Sequence, residues 1–162
     1  MTSRTLTLRN RQHTRAVDLR RLRRVAATVL QNLLAVEQFD LGIYLVSATE
    51  ITRLNETFLR HKGSTDVITF NYAESGGPAS GRSGRRDART ALLHGEIFIC
   101  IDEAVAQARR FRTSWQSELI RYLIHGLLHL RGYDDQNASA RRQMKREENR
   151  LLRRLAGRLK LE

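Results

Sequence analysis

Two histidines, His125 and His129, stand four residues apart in an apolar run that ends at Gly132, and Tyr133, Asp134 and Asp135 follow. On a helix, side chains at i and i+4 share a face, so both imidazoles can reach one ion. A glycine at the helix end can take the left-handed conformation that turns the chain back. That return can bring either Asp134 or Asp135 to close the coordination shell. Two neutral imidazoles and one carboxylate leave a fourth tetrahedral position for water, which such a site activates at neutral pH. The spacing alone is a weak signal, because His-x-x-x-His pairs arise by chance. Its setting strengthens it. Leu119, Ile120, Tyr122, Leu123, Ile124, Leu127 and Leu128 make the segment apolar, and polar rings in such a segment need partners. Residue 126 is glycine, where zinc peptidases of the His-Glu-x-x-His type carry a glutamate base, which argues against peptide hydrolysis by that route. A glycine there would leave room for a bulky substrate beside the ion. Glu118, two turns before His125 on the same face, is either a partner that orients an imidazole or an ordinary exposed helix residue.

The elements that would position these groups can be read from periodicity. Arg4 to Arg9 alternates as a strand, and an apolar stripe from Leu19 to Leu33 predicts a helix. Leu41 to Ser47 reads as a strand, Ala48 to Leu59 as a helix and Val67 to Tyr72 as a strand. Residues 73–90 hold Gly76, Gly77, Pro78, Gly81 and Gly84 among arginines, the composition of a flexible loop. Leu92 to Ile101 resumes as a strand. Asp102 is placed to cap a helix running to about Arg112. Thr113 to Gln116 resembles a capping box for the helix with both histidines. Asn137 or Ser139 opens a last helix through Met144, Leu151, Leu152, Leu155 and Leu159. The order predicts an α+β fold in one domain over residues 1–162: a small mixed sheet of about four strands with helices packed on it. The metal site would lie on one helix and the turn after it.

The chain has 162 residues, 41% of them hydrophobic and 28% charged, with a formal net charge of +12. That composition suits a globular domain, and a field of that sign favours polyanions, nucleic acid first. Candidate phosphate contacts are Arg20, Arg21, Arg23 and Arg24, then Arg82, Arg85, Arg86 and Arg89, and a last-helix face of Arg141, Arg142, Lys145 and Arg146. Each alone is an ordinary solvated charge; their sum argues for RNA. Aromatics make up 6% and form no recognisable stacking motif, so base-specific readout is expected to be weak. Cys100 is the single cysteine, which rules out an internal disulfide and fits a reducing compartment. No run is long and apolar enough for a membrane span, and the basic N-terminus lacks the apolar core of a secretion signal. The expected location is cytoplasmic, with no membrane partner.

The segment His125 to Asp135 resembles the signature of the YbeY family, bacterial metal-dependent endoribonucleases of ribosomal RNA maturation. The family pattern is His-Gly-x-Leu-His-Leu-x-Gly-Tyr-Asp-His, and all but the last position fit. Leu54-Asn55 with Thr65 to Phe70 resembles a second family block, and Gly95 to Ile99 a third. By position the resemblance makes His125, His129 and Asp135 the ligands, with aspartate in place of the family's third histidine. It implies one zinc ion per chain, or another divalent metal, because a carboxylate loosens the preference for zinc. Asp134 would support the ligands or shape the turn. The family's arginine four residues after Asn55 is Leu59 here. Arg60, to neutralise a phosphate, and His61, to shuttle protons, are the substitutes in reach, each otherwise an exposed loop residue. The resemblance further implies single-strand-specific cleavage, a role in ribosome quality control, and RNA, ribosomal RNA and the small ribosomal subunit as partners. Rival readings are a non-catalytic RNA- or ribosome-binding factor braced by metal, a zinc hydrolase of another substrate, and a two-His-one-carboxylate iron oxygenase.

Overall fold

The computed structural model describes residues 3–73 and 91–159. Among them lie β1 (Arg4–Asn10), α1 (Leu19–Thr28), β2 (Gln38–Val46), α2 (Ala48–Leu54), β3 (Val67–Asn71), β4 (Leu92–Cys100), α3 (Ile101–Phe111), α4 (Trp115–Leu130) and α5 (Ala138–Leu159). The order is the one predicted. The helical stripes expected to end at Leu33 and Leu59 do reach those residues, but α1 and α2 each finish in a wider π-helical turn, Val29–Leu33 and Asn55–Leu59. The strands form one mixed sheet in the order β1-β2-β4-β3. β1, β2 and β4 run parallel, and β3 pairs antiparallel with β4 at the edge. A parallel β1–β2 pair needs a crossover, and α1 supplies it.

Alternation along the strands sorts the core onto two faces. Leu41, Ile43, Leu45, Ile97 and Ile99 face the main core with Leu22, Val29, Leu30, Leu127, Met144, Leu151 and Leu155 of the flanking helices. Val46, Ile68, Phe98 and Cys100 face the other way and bury Ile51 of α2. Helix α4 is apolar nearly all round because it is nearly all buried; Leu119, Leu123, Ile124, Leu127 and Leu128 are each at most 4% exposed. Its two histidines lie where that burial breaks, at 24% and 25% side-chain exposure.

Ser114 caps α4, its hydroxyl accepting from the Ser117 N–H at 3.1 Å. Asn137 caps α5, accepting from the Ala140 N–H at 2.8 Å. Asp102 does not cap α3, whose N-cap residue is Cys100. Its carboxylate reaches back across the fold to accept from the Ala48 N–H in the first turn of α2 (2.6 Å) and from the Thr14 hydroxyl. The carboxylate still satisfies an orphan helix donor, but one belonging to a different helix.

Gly126 also differs from its sequence reading. A Cβ there would meet Ile97 Cγ2 at 2.7 Å, and Ile97 is fully buried. The glycine lets α4 settle on β4; the space it leaves is filled by isoleucine and not by substrate. Gly126→Ala would gain up to about 1 kcal/mol of helix propensity but overpack the contact by roughly 1–3 kcal/mol. Urea unfolding is expected to show a net loss of about 1–2 kcal/mol. An unchanged midpoint would contradict this packing.

Candidate metal centre

The end of α4 builds the site. Gly132 has φ +104° and occupies the position just past the helix, where glycine is favoured. Its N–H bonds the His129 carbonyl at 3.0 Å, and the Tyr133 N–H bonds the Leu128 carbonyl at 3.0 Å. This pair of bonds is the Schellman closure, in which the chain reverses. The reversal has two consequences. It aims the Tyr133 carbonyl at His129, whose Nδ1 lies 3.1 Å away, and it starts the return that carries Asp135 over the imidazoles.

His125 Nε2 and His129 Nε2 are 3.0 Å apart, and Asp135 Oδ2 lies 3.7 Å from the first and 3.6 Å from the second. For bonds of about 2.0–2.2 Å, the donor–donor edges of a tetrahedral zinc site are about 3.3–3.6 Å. The observed separations bracket that range. His125, His129 and Asp135 are also the one group of potential metal donors that lies together among the described residues. Both Nδ1 atoms face acceptors: the Tyr133 carbonyl for His129, and Glu148 Oε2 at 2.6 Å for His125. Each ring therefore carries its proton on Nδ1 and turns the Nε2 lone pair to the shared point. Two lone pairs 3.0 Å apart require a cation or a proton between them, and the three donors fit a divalent ion. Burial works against charge on either ring. At His125 the carboxylate of Glu148, helped by Asp66 and Asp135, outweighs burial and raises the pKa; at His129 burial and the charge of His125 lower it.

A cleft of about 550 Å³ opens beside these potential donors, lined by Asp66, Arg121, Tyr122, His125, Asp135, Ala138, Arg141, Arg142, Lys145 and Glu148. Arg141, Arg142 and Lys145, expected to touch RNA, thus lie at the candidate centre. Arg20, Arg21, Arg23, Arg24 and Arg146 are exposed and outside its wall. Arg82, Arg85, Arg86 and Arg89 lie outside the described residues. Arg60 and His61 are exposed and do not line the cleft. Arg60 closes the π-helical turn in the left-handed conformation (φ 56°), and buried Asn55 braces the segment after it through the Gly63 carbonyl at 3.0 Å. Glu118 does not reach an imidazole; it accepts the Thr113 hydroxyl at 2.8 Å. Asp134 is an exposed turn residue that accepts from the Gln136 N–H.

Glu148, 5% exposed on α5, takes the orienting role in place of Glu118. Its signal was present in the sequence: Met144, Glu148, Leu151 and Leu155 fall on one helical stripe, so the glutamate sits where a core residue should. Asp66 and Arg121 also join the site without having been anticipated.

The family model for Endoribonuclease YbeY matches residues 7–156. The chain belongs to the YbeY family. Endoribonuclease YbeY of Salinibacter ruber is 36% identical over 112 residues, 69% of this chain and 68% of that protein. The Chlorobaculum parvum protein of the same name is 38% identical over 107 residues, 66% and 65% of the two chains. A solution structure from Thermotoga maritima shares the fold, with a TM-score of 0.64 at 23% identity over 96% of this chain and 92% of that one. YbeY membership makes the enzyme class that of a metal-dependent endoribonuclease, a hydrolase with RNA as substrate. The other sequence blocks that resemble YbeY also bear on the site: Asp66 precedes β3 and lines the cleft, and Gly95 to Ile99 is the part of β4 on which α4 rests.

Metal content by mass spectrometry checks the ligand set. Wild type is expected to hold one divalent ion per chain, and His129→Ala and Asp135→Ala to lose it. Glu148→Gln should weaken metal affinity on the order of 10–100-fold, the usual cost of removing an orienting partner. Full metal occupancy in Asp135→Ala would show the wrong third ligand.

Proposed function

We propose that this YbeY protein cuts single-stranded RNA during ribosomal RNA maturation and ribosome quality control, in the cytoplasm and at the small ribosomal subunit. His125, His129 and Asp135 would hold zinc, for which two imidazoles and a carboxylate are a suitable donor set. The observation that carries the reading is the convergence of these three donors at the wall of a cleft whose cations are Arg121, Arg141, Arg142 and Lys145. When bound, a divalent ion supplies Lewis-acid charge next to a phosphodiester and promotes attack on phosphorus. The protein's own part is to bind and orient the strand. Arg142 and Lys145, exposed on α5, meet phosphates without reading bases. Arg141 donates to the Asp135 carbonyl at 3.3 Å, so strand binding and the ligand turn are linked. A net charge of +12 adds long-range attraction for the polyanion. Among the described residues no helix is long and apolar enough to cross a membrane.

Incubation with structured RNA and with casein, each with and without EDTA, tests this. Cleavage of unpaired RNA segments that stops with EDTA while far-ultraviolet circular dichroism stays native supports the proposal, with casein left intact. A protein that unfolds in EDTA and never cut RNA supports a structural metal instead. Arg142→Ala and Lys145→Ala are each expected to weaken RNA binding uniformly across sequences and to lower the salt slope by about one counterion.

A further inference from the structure

We propose that Arg121 is a catalytic residue that contacts the phosphate to be cut, and that Glu148 positions it together with His125. The proposal rests on the endoribonuclease reading above. Arg121 precedes His125 by one helical turn on the same face of α4, and both line the cleft. Its Nη1 lies 3.2 Å from Asn149 Oδ1 and 3.5 Å from Glu148 Oε1. Both contacts use one nitrogen of a group with five N–H donors; Nη2 and Nε have no partner among the described residues. The side chain is 32% exposed, so the head is held yet open to the cleft.

The partner makes this arrangement more than an ordinary ion pair. Glu148 is 7% exposed at its side chain, and its other oxygen holds His125 Nδ1 at 2.6 Å. One buried carboxylate therefore fixes both a metal-binding ring and a guanidinium, so the cation and the metal donors keep a set geometry. Preorganised charge of this kind stabilises a developing oxyanion without reorganising during the reaction. The other cleft cations are held differently. Arg142 and Lys145 are exposed, and Arg141 is tied to a backbone carbonyl. A planar fork already fixed in place loses less freedom on meeting a phosphate than these do.

Arg121 could instead serve only to neutralise buried Glu148. The two roles separate experimentally. Arg121→Gln and Arg121→Lys would be loaded with zinc, checked for metal content, and assayed for kcat and KM on a single-stranded oligoribonucleotide. Affinity for the same strand would be measured by fluorescence anisotropy on metal-free protein in EDTA, across a salt series. The expected results are a kcat lower by on the order of 10²–10³-fold in Arg121→Gln and a partial recovery in Arg121→Lys. The salt slope of metal-free binding should be smaller by about one. A neutral methylphosphonate at the contacted linkage should abolish the affinity difference between wild type and variant. Full metal occupancy with wild-type kcat and an unchanged salt slope in Arg121→Gln would overturn the proposal. If wild type itself cuts no RNA, the endoribonuclease reading fails separately, and the metal-free salt slope still decides whether Arg121 meets a phosphate. If Arg121→Gln does not fold, Arg121→Lys and the methylphosphonate comparison carry the test.

Discussion

The hydrogen bond from His125 Nδ1 to Glu148 Oε2 spans the seam between α4 and α5, and the geometry of the centre depends on it. A carboxylate as buried as Glu148 would be costly alone, since ionised groups rarely leave water without partners. Here both oxygens are engaged, one by imidazole and one near a guanidinium. The same bond fixes the proton of His125 on Nδ1, the nitrogen that faces Glu148. With the Tyr133 carbonyl doing this for His129, both rings present their other nitrogens to a single point. The two rings are thus set as an ion would need them by two acceptors, one from another helix and one from the turn that ends α4.

The rest of the fold makes that seam rigid. α4 is wrapped by the sheet and neighbouring helices, so its rotation about its own axis is fixed by leucine and isoleucine packing. The close approach of Gly126 to Ile97 sets its height over β4. α5 is anchored by Met144, Leu151 and Leu155, all at most 1% exposed, on either side of Glu148 along the helix. A carboxylate placed among such residues has little freedom to leave the imidazole. Edge strand β3 completes the cleft by bringing Asp66, the residue just before it, to the wall.

Much of this could be read in the residues. The pair His125 and His129, the turn glycine Gly132 and the carboxylate after it are local in sequence, and local geometry follows from helix period and cap chemistry. The element order followed from hydrophobic period for the same reason. Relations between elements were harder to read. Glu118 was the nearer candidate to orient a ring because it shares the helix, whereas Glu148 reaches His125 from α5, and periodicity does not say which helices face each other. Asp102 shows the same limit: it satisfies a helix start, but of α2, brought near by the sheet. Gly126 has a packing role because of Ile97, 29 residues earlier in the sequence. The Arg60 and His61 expectation came from sequence position beside Leu59, while Arg121, one turn before His125 on α4, reaches the cleft wall by helical spacing.

Both imidazoles are protonated on Nδ1 by virtue of Glu148 and Tyr133, which leaves Nε2 of each to meet a metal. Long-range nitrogen NMR of ¹⁵N-histidine-labelled protein, titrated with zinc, tests it directly. In the zinc-bound protein His125 and His129 are expected to keep protonated Nδ1 signals while their Nε2 signals move to the metal-bound range. Coordination through Nδ1 of either ring, or a zinc titration that leaves both Nε2 signals unmoved, would contradict it.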